Sequence, residues 1–175
     1  MTQLIVLGML EIQPMSGYDI QTTLQELNAE MWSGVLVGSI YHALKKLEKD
    51  GYIEIDSIEQ TGLRQKATYK IAEKGKSFLK ELILDSLTKP SSNFPTTLYS
   101  AITFIDKVPK EEARTALLKQ RDFLQNQLDE LDKGLKEKNE ALGNHLPPIV
   151  ASSFKNMFGI TRLQKEYIEE LLEII

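Results

Sequence analysis

Apolar positions along this chain recur at two periods, and the places where the period changes mark its elements. Over residues 2–11, Leu4, Ile5, Leu7 and Leu10 predict a first helix, which the stretch "QPMSG" breaks. Ser16 and Asp19 then stand three apart, as N-cap and N3 of a short capping box. Ile20, Leu24 and Leu27 follow at helical spacing, so a second helix opens at Ser16. "EMWSGVLVG" reads as a loop or short turn. A third helix opens near Gly38 or Ser39, with a seam of Ile40, Ala43, Leu44 and Leu47. Gly51 sits where a glycine ends a helix without a Cβ penalty.

From Tyr52 the period becomes two. Ile53 and Ile55 alternate with Glu54 and Asp56; beyond a turn around Gly62, Ala67, Tyr69 and Ile71 alternate with Lys66, Thr68 and Lys70. Two such strands joined by a short loop make a hairpin. A helix through "EKGKSFLKELILDSL" follows, with Phe78, Leu79, Leu82 and Ile83 inward. Prolines and a Ser/Thr/Asn cluster in "LTKPSSNFPTT" interrupt the pattern. Beyond them everything reads as helix. Pro109, Glu111 and Glu112 suit the first turn of a long helix, where the dipole favours acids. Leu117, Arg121, Leu124, Leu128, Leu131, Leu135, Lys138 and Leu142 then alternate at spacings of four and three, a coiled-coil-like stripe. A last helix runs from about Pro148 to the C-terminus.

Three small helices and a hairpin spell a winged helix-turn-helix, followed by long helices. The expected fold class is therefore mostly α with a small β-hairpin. Residues 1–87 form the winged domain, 88–97 a linker, and 98–175 a helical dimerisation domain that also suits effector binding. Two long helices carry more apolar face than a small domain must bury, so the stripe of Leu117, Leu124, Leu128, Leu131 and Leu135 is assigned both to an internal helix pair and to a second subunit.

Composition changes this picture little. Apolar residues make up 42% and charged residues 26% of 175, ordinary for a folded chain. There is no cysteine, which excludes disulfides and thiolate sites. The start carries no basic signal-peptide region, and no run is apolar enough to span a bilayer, so the expected location is the cytoplasm, without membrane contact. No cofactor or metal is expected. His42 and His145 lie in unrelated segments, and no nucleophile elbow or phosphate-binding glycine loop occurs, so an enzyme is a poor reading.

Charge matters more by location than by its total of −4. Lys45, Lys46 and Lys49 face Glu48 alone over residues 37–49, and the stretch 60–80 is also basic. Both segments fall on the parts of a winged domain that face DNA. With its seam buried, the third helix presents Ser39, Tyr41, His42, Lys45 and Lys46, which suits base edges and flanking phosphates in a major groove. Arg64 and Lys66 on the wing, with Ser16 at the start of the second helix, complete the candidate double-stranded DNA-binding set. Taken alone, a lysine pair on a helix is more often a solvated face. Aromatics in the later helices are more often core than pocket. Trp32, Phe154 and Phe158 are the candidate residues for a small-molecule effector of unknown identity.

"LIVLGML", "MSGYDI", "MWSGVLVGSIYHALKKLEKDGYI" and "RQKATYKIAEKGKSFL" together resemble the PadR family of transcriptional regulators. The likeness falls on Leu7–Leu10, Ser16–Ile20, Gly38–Ile53 and Tyr69–Gly75, and the long helical second half is similar to the larger subgroup. It implies a dimeric repressor, less often an activator, on a two-fold operator. Three positions depart from the family pattern. His42 stands where proline is frequent, Ala72 where a capping threonine is common, and the wing is less basic. The alternative from another class is a winged-helix adaptor that binds protein and not DNA.

Overall fold

The computed structural model describes residues 1–27, 29–61, 64–91 and 94–175; the side chains of Met31, Thr61, Arg64 and Gln65 also lie outside the description. It divides into two compact units, residues 1–92 and 93–175.

In the first unit, α1 (Thr2–Ile12) leads to a two-residue strand, β1 (Met15–Ser16), and then to α2 (Gly17–Glu26). The capping box at Ser16 and Asp19 is formed in both directions. Ile20 and Leu24 are buried as their spacing requires, but Leu27 lies past the last turn, where the helix has already ended, and is exposed. A short helix, α3 (Ala29–Ser33), stands in the stretch read as loop or turn; Gly34, at φ +65°, follows it. A 3-10 turn over Val37–Ser39 runs into α4 (Ile40–Lys49), whose seam of Ile40, Ala43, Leu44 and Leu47 is buried.

The end of α4 sets the direction in which the chain enters the sheet. Gly51 adopts φ +72°, its N–H donates to the Glu48 carbonyl at 3.0 Å, and the Tyr52 N–H reaches back to Leu47 at 2.8 Å. This is a Schellman motif, and it turns the chain out of the helix into β2 (Ile53–Thr61). Next, β3 (Arg64–Ile71) pairs antiparallel with β2 on one side and with β1 on the other, in the order β1-β3-β2. A bulge between Ile55 and Ser57 leaves Asp56 as the extra residue of β2.

α5 (Glu73–Thr88) then returns across α1. Its first turn passes so close to the end of α4 that a Cβ on Gly75 would lie 2.0 Å from the Tyr52 carbonyl oxygen. Tyr52 and Phe78 stack at 4.2 Å, and Lys74 Nζ sits 4.6 Å over the Tyr52 ring. Leu79 is buried and Phe78 and Leu82 pack against the core, whereas Ile83, expected inward, lies at the edge of that face and is exposed. One apolar core joins α1, α2, α4, β2 and α5.

The second unit contains α6 (Thr96–Thr103), α7 (Lys110–Ala141) and α8 (Pro148–Ile174). At 32 residues α7 is about 48 Å long. A tight turn containing Gly143 (φ +62°) and Asn144 (φ +61°) folds α8 back antiparallel along it, and Arg114 near the start of α7 donates to the Leu172 carbonyl near the end of α8 at 2.7 Å. Leu117 and Leu124 pack with Ile168, Leu171 and Leu172 in a second core. Among the described residues no helix is long and apolar enough to cross a membrane.

Candidate nucleic-acid interface

The candidate site is built on α4. Ten residues give about 15 Å of helix, of which one face is sealed in the core and the other is open. Tyr41, His42, Lys45, Lys46 and Lys49 are exposed on that outer face. None of the three lysines has an ion-pair partner among the described residues. A helix of this kind, hydrophobic on one side and cationic on the other, has the dimensions and the charge to enter a major groove.

The helix is held in place from two sides. A Cβ on Gly17 would lie 2.7 Å from Tyr41 Cε1 and 3.0 Å from Leu44 Cδ1, so the start of α2 crosses α4 closely because residue 17 has no side chain. Ser39 donates its hydroxyl hydrogen to the Leu36 carbonyl at 2.6 Å and shares a second hydrogen bond with the Thr2 hydroxyl at 3.0 Å. Ser39 thus ties α1 to the start of α4, and its oxygen is already engaged within the protein.

Ser16 is placed differently from the surface residues it was grouped with. It is 2% exposed; its hydroxyl donates to Asp19 Oδ2 at 2.7 Å and accepts from the Asp19 N–H at 3.2 Å. Its physical task is to cap α2, and the side chain does not reach the surface. An exposed neighbour was overlooked: Tyr18, beside Gly17, presents its ring at the start of α2. The "SGYD" stretch that revealed the cap contains it, and Tyr18 falls outside the buried seam of Gly17, Ile20 and Leu24.

On the wing, charges that are segregated along the chain are paired in space. Lys66 Nζ lies 3.1 Å from Asp19 Oδ1. The Ser16 hydroxyl, and after it Lys66, hold the Asp19 carboxyl below the usual carboxylate range, against an opposing effect of burial. Lys70 Nζ lies 3.3 Å from Asp56 and 3.4 Å from Glu54, and these two carboxylates raise its pKa. The strand register puts Glu54 opposite Lys70 and Glu59 opposite Lys66, and the bulge brings Asp56 alongside. Lys66 and Lys70 are therefore not free basic groups, because Asp19 of α2 and the acids of β2 lie beside them. The Arg64 side chain lies outside the described residues.

In the second unit, Leu117, Leu124 and Leu131 are buried within this chain, at 6%, 8% and 3% exposure, while Leu128 and Leu135 are half-buried. The first three are thus taken up inside the chain and retain almost no surface for a second subunit; exposed apolar surface on these helices includes Phe123, Ile149, Ile160, Leu163 and Ile174. Trp32 belongs to the winged unit, where its ring N–H donates to the Leu27 carbonyl at 3.1 Å. Phe154 and Phe158 are half-buried on α8, the latter under Arg162 at 5.2 Å. A cavity of the helical unit, about 680 Å³, lies elsewhere, between α6 and the start of α7, and is lined by Phe94, Leu98, Ile102, Phe104, Val108 and Leu117 among others.

Comparison with known proteins agrees with this geometry. Residues 6–81 match the transcriptional regulator PadR-like family. The solved structure of smu.1604c from Streptococcus mutans is 24% identical, with a TM-score of 0.76 over 98% of this chain and 98% of that one. Bacillus subtilis PadR in complex with operator DNA is 23% identical, with a TM-score of 0.74 over 98% of this chain and 97% of that one. The same Bacillus protein in complex with p-coumaric acid gives 20% identity and a TM-score of 0.68 over 98% and 93%. No curated protein sequence matches.

Proposed function

We propose that this chain, whose residues 6–81 match the PadR-like family of transcriptional regulators, is a sequence-specific repressor that binds a two-fold operator as a homodimer in the cytoplasm. The observation that carries the reading is the outer face of α4, where Tyr41, His42, Lys45 and Lys46 are exposed and the lysines have no partner among the described residues. Tyr41 and His42, in the first turn, meet base edges; Lys45 and Lys46, a turn further on, meet phosphates. A homodimer spaces two such helices by about 34 Å, one turn of DNA.

The test is selection of bound fragments from the source genome, followed by gel shifts over a range of salt. A regulator yields a preferred duplex whose binding weakens steeply as salt rises. Failure to enrich any duplex removes the reading and leaves the adaptor, which the pairing of Lys66 and Lys70 with carboxylates favours. Repression is tested at the selected site with a reporter; activation there overturns that part alone. Release by a small-molecule effector completes the proposal, and the cavity between α6 and α7 offers room for one. Titrating the bound duplex with p-coumaric acid, the compound seen with the Bacillus protein, is the first trial.

A further inference from the structure

We infer that Asp19 is a positioning residue that sets specificity at this interface: it holds Lys66 of the wing against the start of α2 and keeps that charge from phosphate. The inference rests on the proposed DNA-binding function. The two carboxylate oxygens of Asp19 serve two elements. Oδ2 accepts from the Ser16 hydroxyl at 2.7 Å and from the Ser16 N–H at 3.2 Å, closing the cap, while Oδ1 takes Lys66 Nζ at 3.1 Å across 47 residues of chain.

Stability does not account for the second contact. The side chains of Lys66 and Asp19 are 47% and 40% exposed, and an ion pair so open to solvent adds little to folding. Nor is it needed to attach the wing, because Met15 and Ser16 of β1 already pair with Tyr69 and Thr68 of β3. What the contact changes is the charge available to DNA. A helix N-terminus with a lysine beside it is a natural phosphate seat, and here a carboxylate fills it. Lys70 repeats the arrangement with Glu54 and Asp56. Both wing lysines are thus neutralised by the protein itself, whereas Lys45 and Lys46 on α4 are not.

The physical consequence concerns selectivity. Phosphate contacts supply sequence-independent affinity, and base contacts supply discrimination. Withholding the wing lysines lowers the former and leaves the latter to α4. The specificity ratio rises although the total affinity falls.

The experiment measures the dependence of binding on salt, using the full chain, a random-sequence duplex and the duplex enriched from the genome. Asp19→Asn keeps an oxygen for the Ser16 cap but removes the charge that holds Lys66. Its log–log salt slope on random duplex should rise by about 0.9 per winged domain, and the ratio of enriched to random affinity should fall. Lys66→Gln alone should leave the slope unchanged, and added to Asp19→Asn it should abolish the rise. A loss of stability alone would not produce this pattern. An unchanged slope in folded Asp19→Asn overturns the inference. So does a drop of about 0.9 in Lys66→Gln, which decides the matter by itself if Asp19→Asn does not fold. A parent protein that binds no duplex removes the DNA-binding reading and this inference with it. A parent that binds while these variants fail removes only this one.

Discussion

The outer face of α4 and the polar face of the β2–β3 hairpin are both lysine-bearing, yet electrostatically they are opposites. On α4, Lys45, Lys46 and Lys49 project into solvent without an ion-pair partner among the described residues. On the hairpin, Lys66 and Lys70 are held by Asp19, Glu54 and Asp56. The difference arises from secondary structure. A ten-residue helix with four buried positions leaves its remaining side chains no nearby strand to meet, whereas the antiparallel pairing sets Glu54 opposite Lys70 and the start of α2 brings Asp19 to Lys66. The lesson is that a count of basic residues along a segment measures nothing until the partners across the sheet are known. If the contrast holds, Lys45→Glu with Lys46→Glu is the variant of largest effect. It should lower affinity for the enriched duplex at least about a hundredfold and reduce the salt slope by about 1.8 per winged domain. Circular dichroism and thermal unfolding should be unchanged, because neither side chain enters the core.

The next largest effect falls on the joint between the two regions. Tyr52 ends the Schellman turn of α4, and its carbonyl accepts the Ala72 N–H at 3.0 Å at the base of the wing. Gly75 passes against that same carbonyl, and a methyl group at 2.0 Å has nowhere to go but into backbone. Gly75→Ala should therefore destabilise the winged unit by about 3 kcal/mol, the upper range for overpacking, and be read as a lower unfolding midpoint. An unaffected midpoint would mean that α5 can shift without disturbing the base of the wing. A smaller and opposite change comes from Glu54→Gln with Asp56→Asn. Freed of both carboxylates, Lys70 should raise the salt slope on random duplex by about 0.9. Were the slope to stay constant, the wing would not approach DNA at all, and the contrast with α4 would lose its meaning for binding.

The sequence made some of this legible and hid the rest for identifiable reasons. The α4 seam was readable because Ile40, Ala43, Leu44 and Leu47 repeat at the period that buries them. The cap at Ser16 was readable because both of its partners lie within one turn. Three features were not. Strand β1 is two residues long, too short to show alternation, and exists only because β3 arrives beside it. The pairing of Lys66 with Asp19 joins residues 47 apart and leaves no local trace. The leucine stripe of α7 announced a partner without saying which, and α8 of the same chain takes Leu117 and Leu124. The cavity between α6 and α7 was missed for a related reason, since its wall combines short and long helices whose approach no single periodicity encodes.

The smallest expected change tests whether α5 is stabilised independently of either charged face. Ala72 is the N-cap of α5 at φ −87° and ψ 162°, the extended geometry that a capping residue adopts, but it offers no side-chain acceptor. The Gly75 N–H instead turns to the Ala72 carbonyl at 2.8 Å, which also accepts the regular first helical bond from Lys76 at 3.1 Å. A serine there can accept from the second or third N–H of the helix without any movement of the backbone. Ala72→Ser should then add about 1 kcal/mol. In a unit of this size that raises the unfolding midpoint by roughly 4–8 °C. Neither the salt slope nor the enriched-to-random ratio should move, because the cap adds no charge and faces neither α4 nor the polar side of the hairpin. A gain in stability accompanied by altered DNA discrimination would show that α5 and the wing are mechanically coupled through Tyr52. The separation drawn between the structural base of the wing and its charged face would then have to be given up.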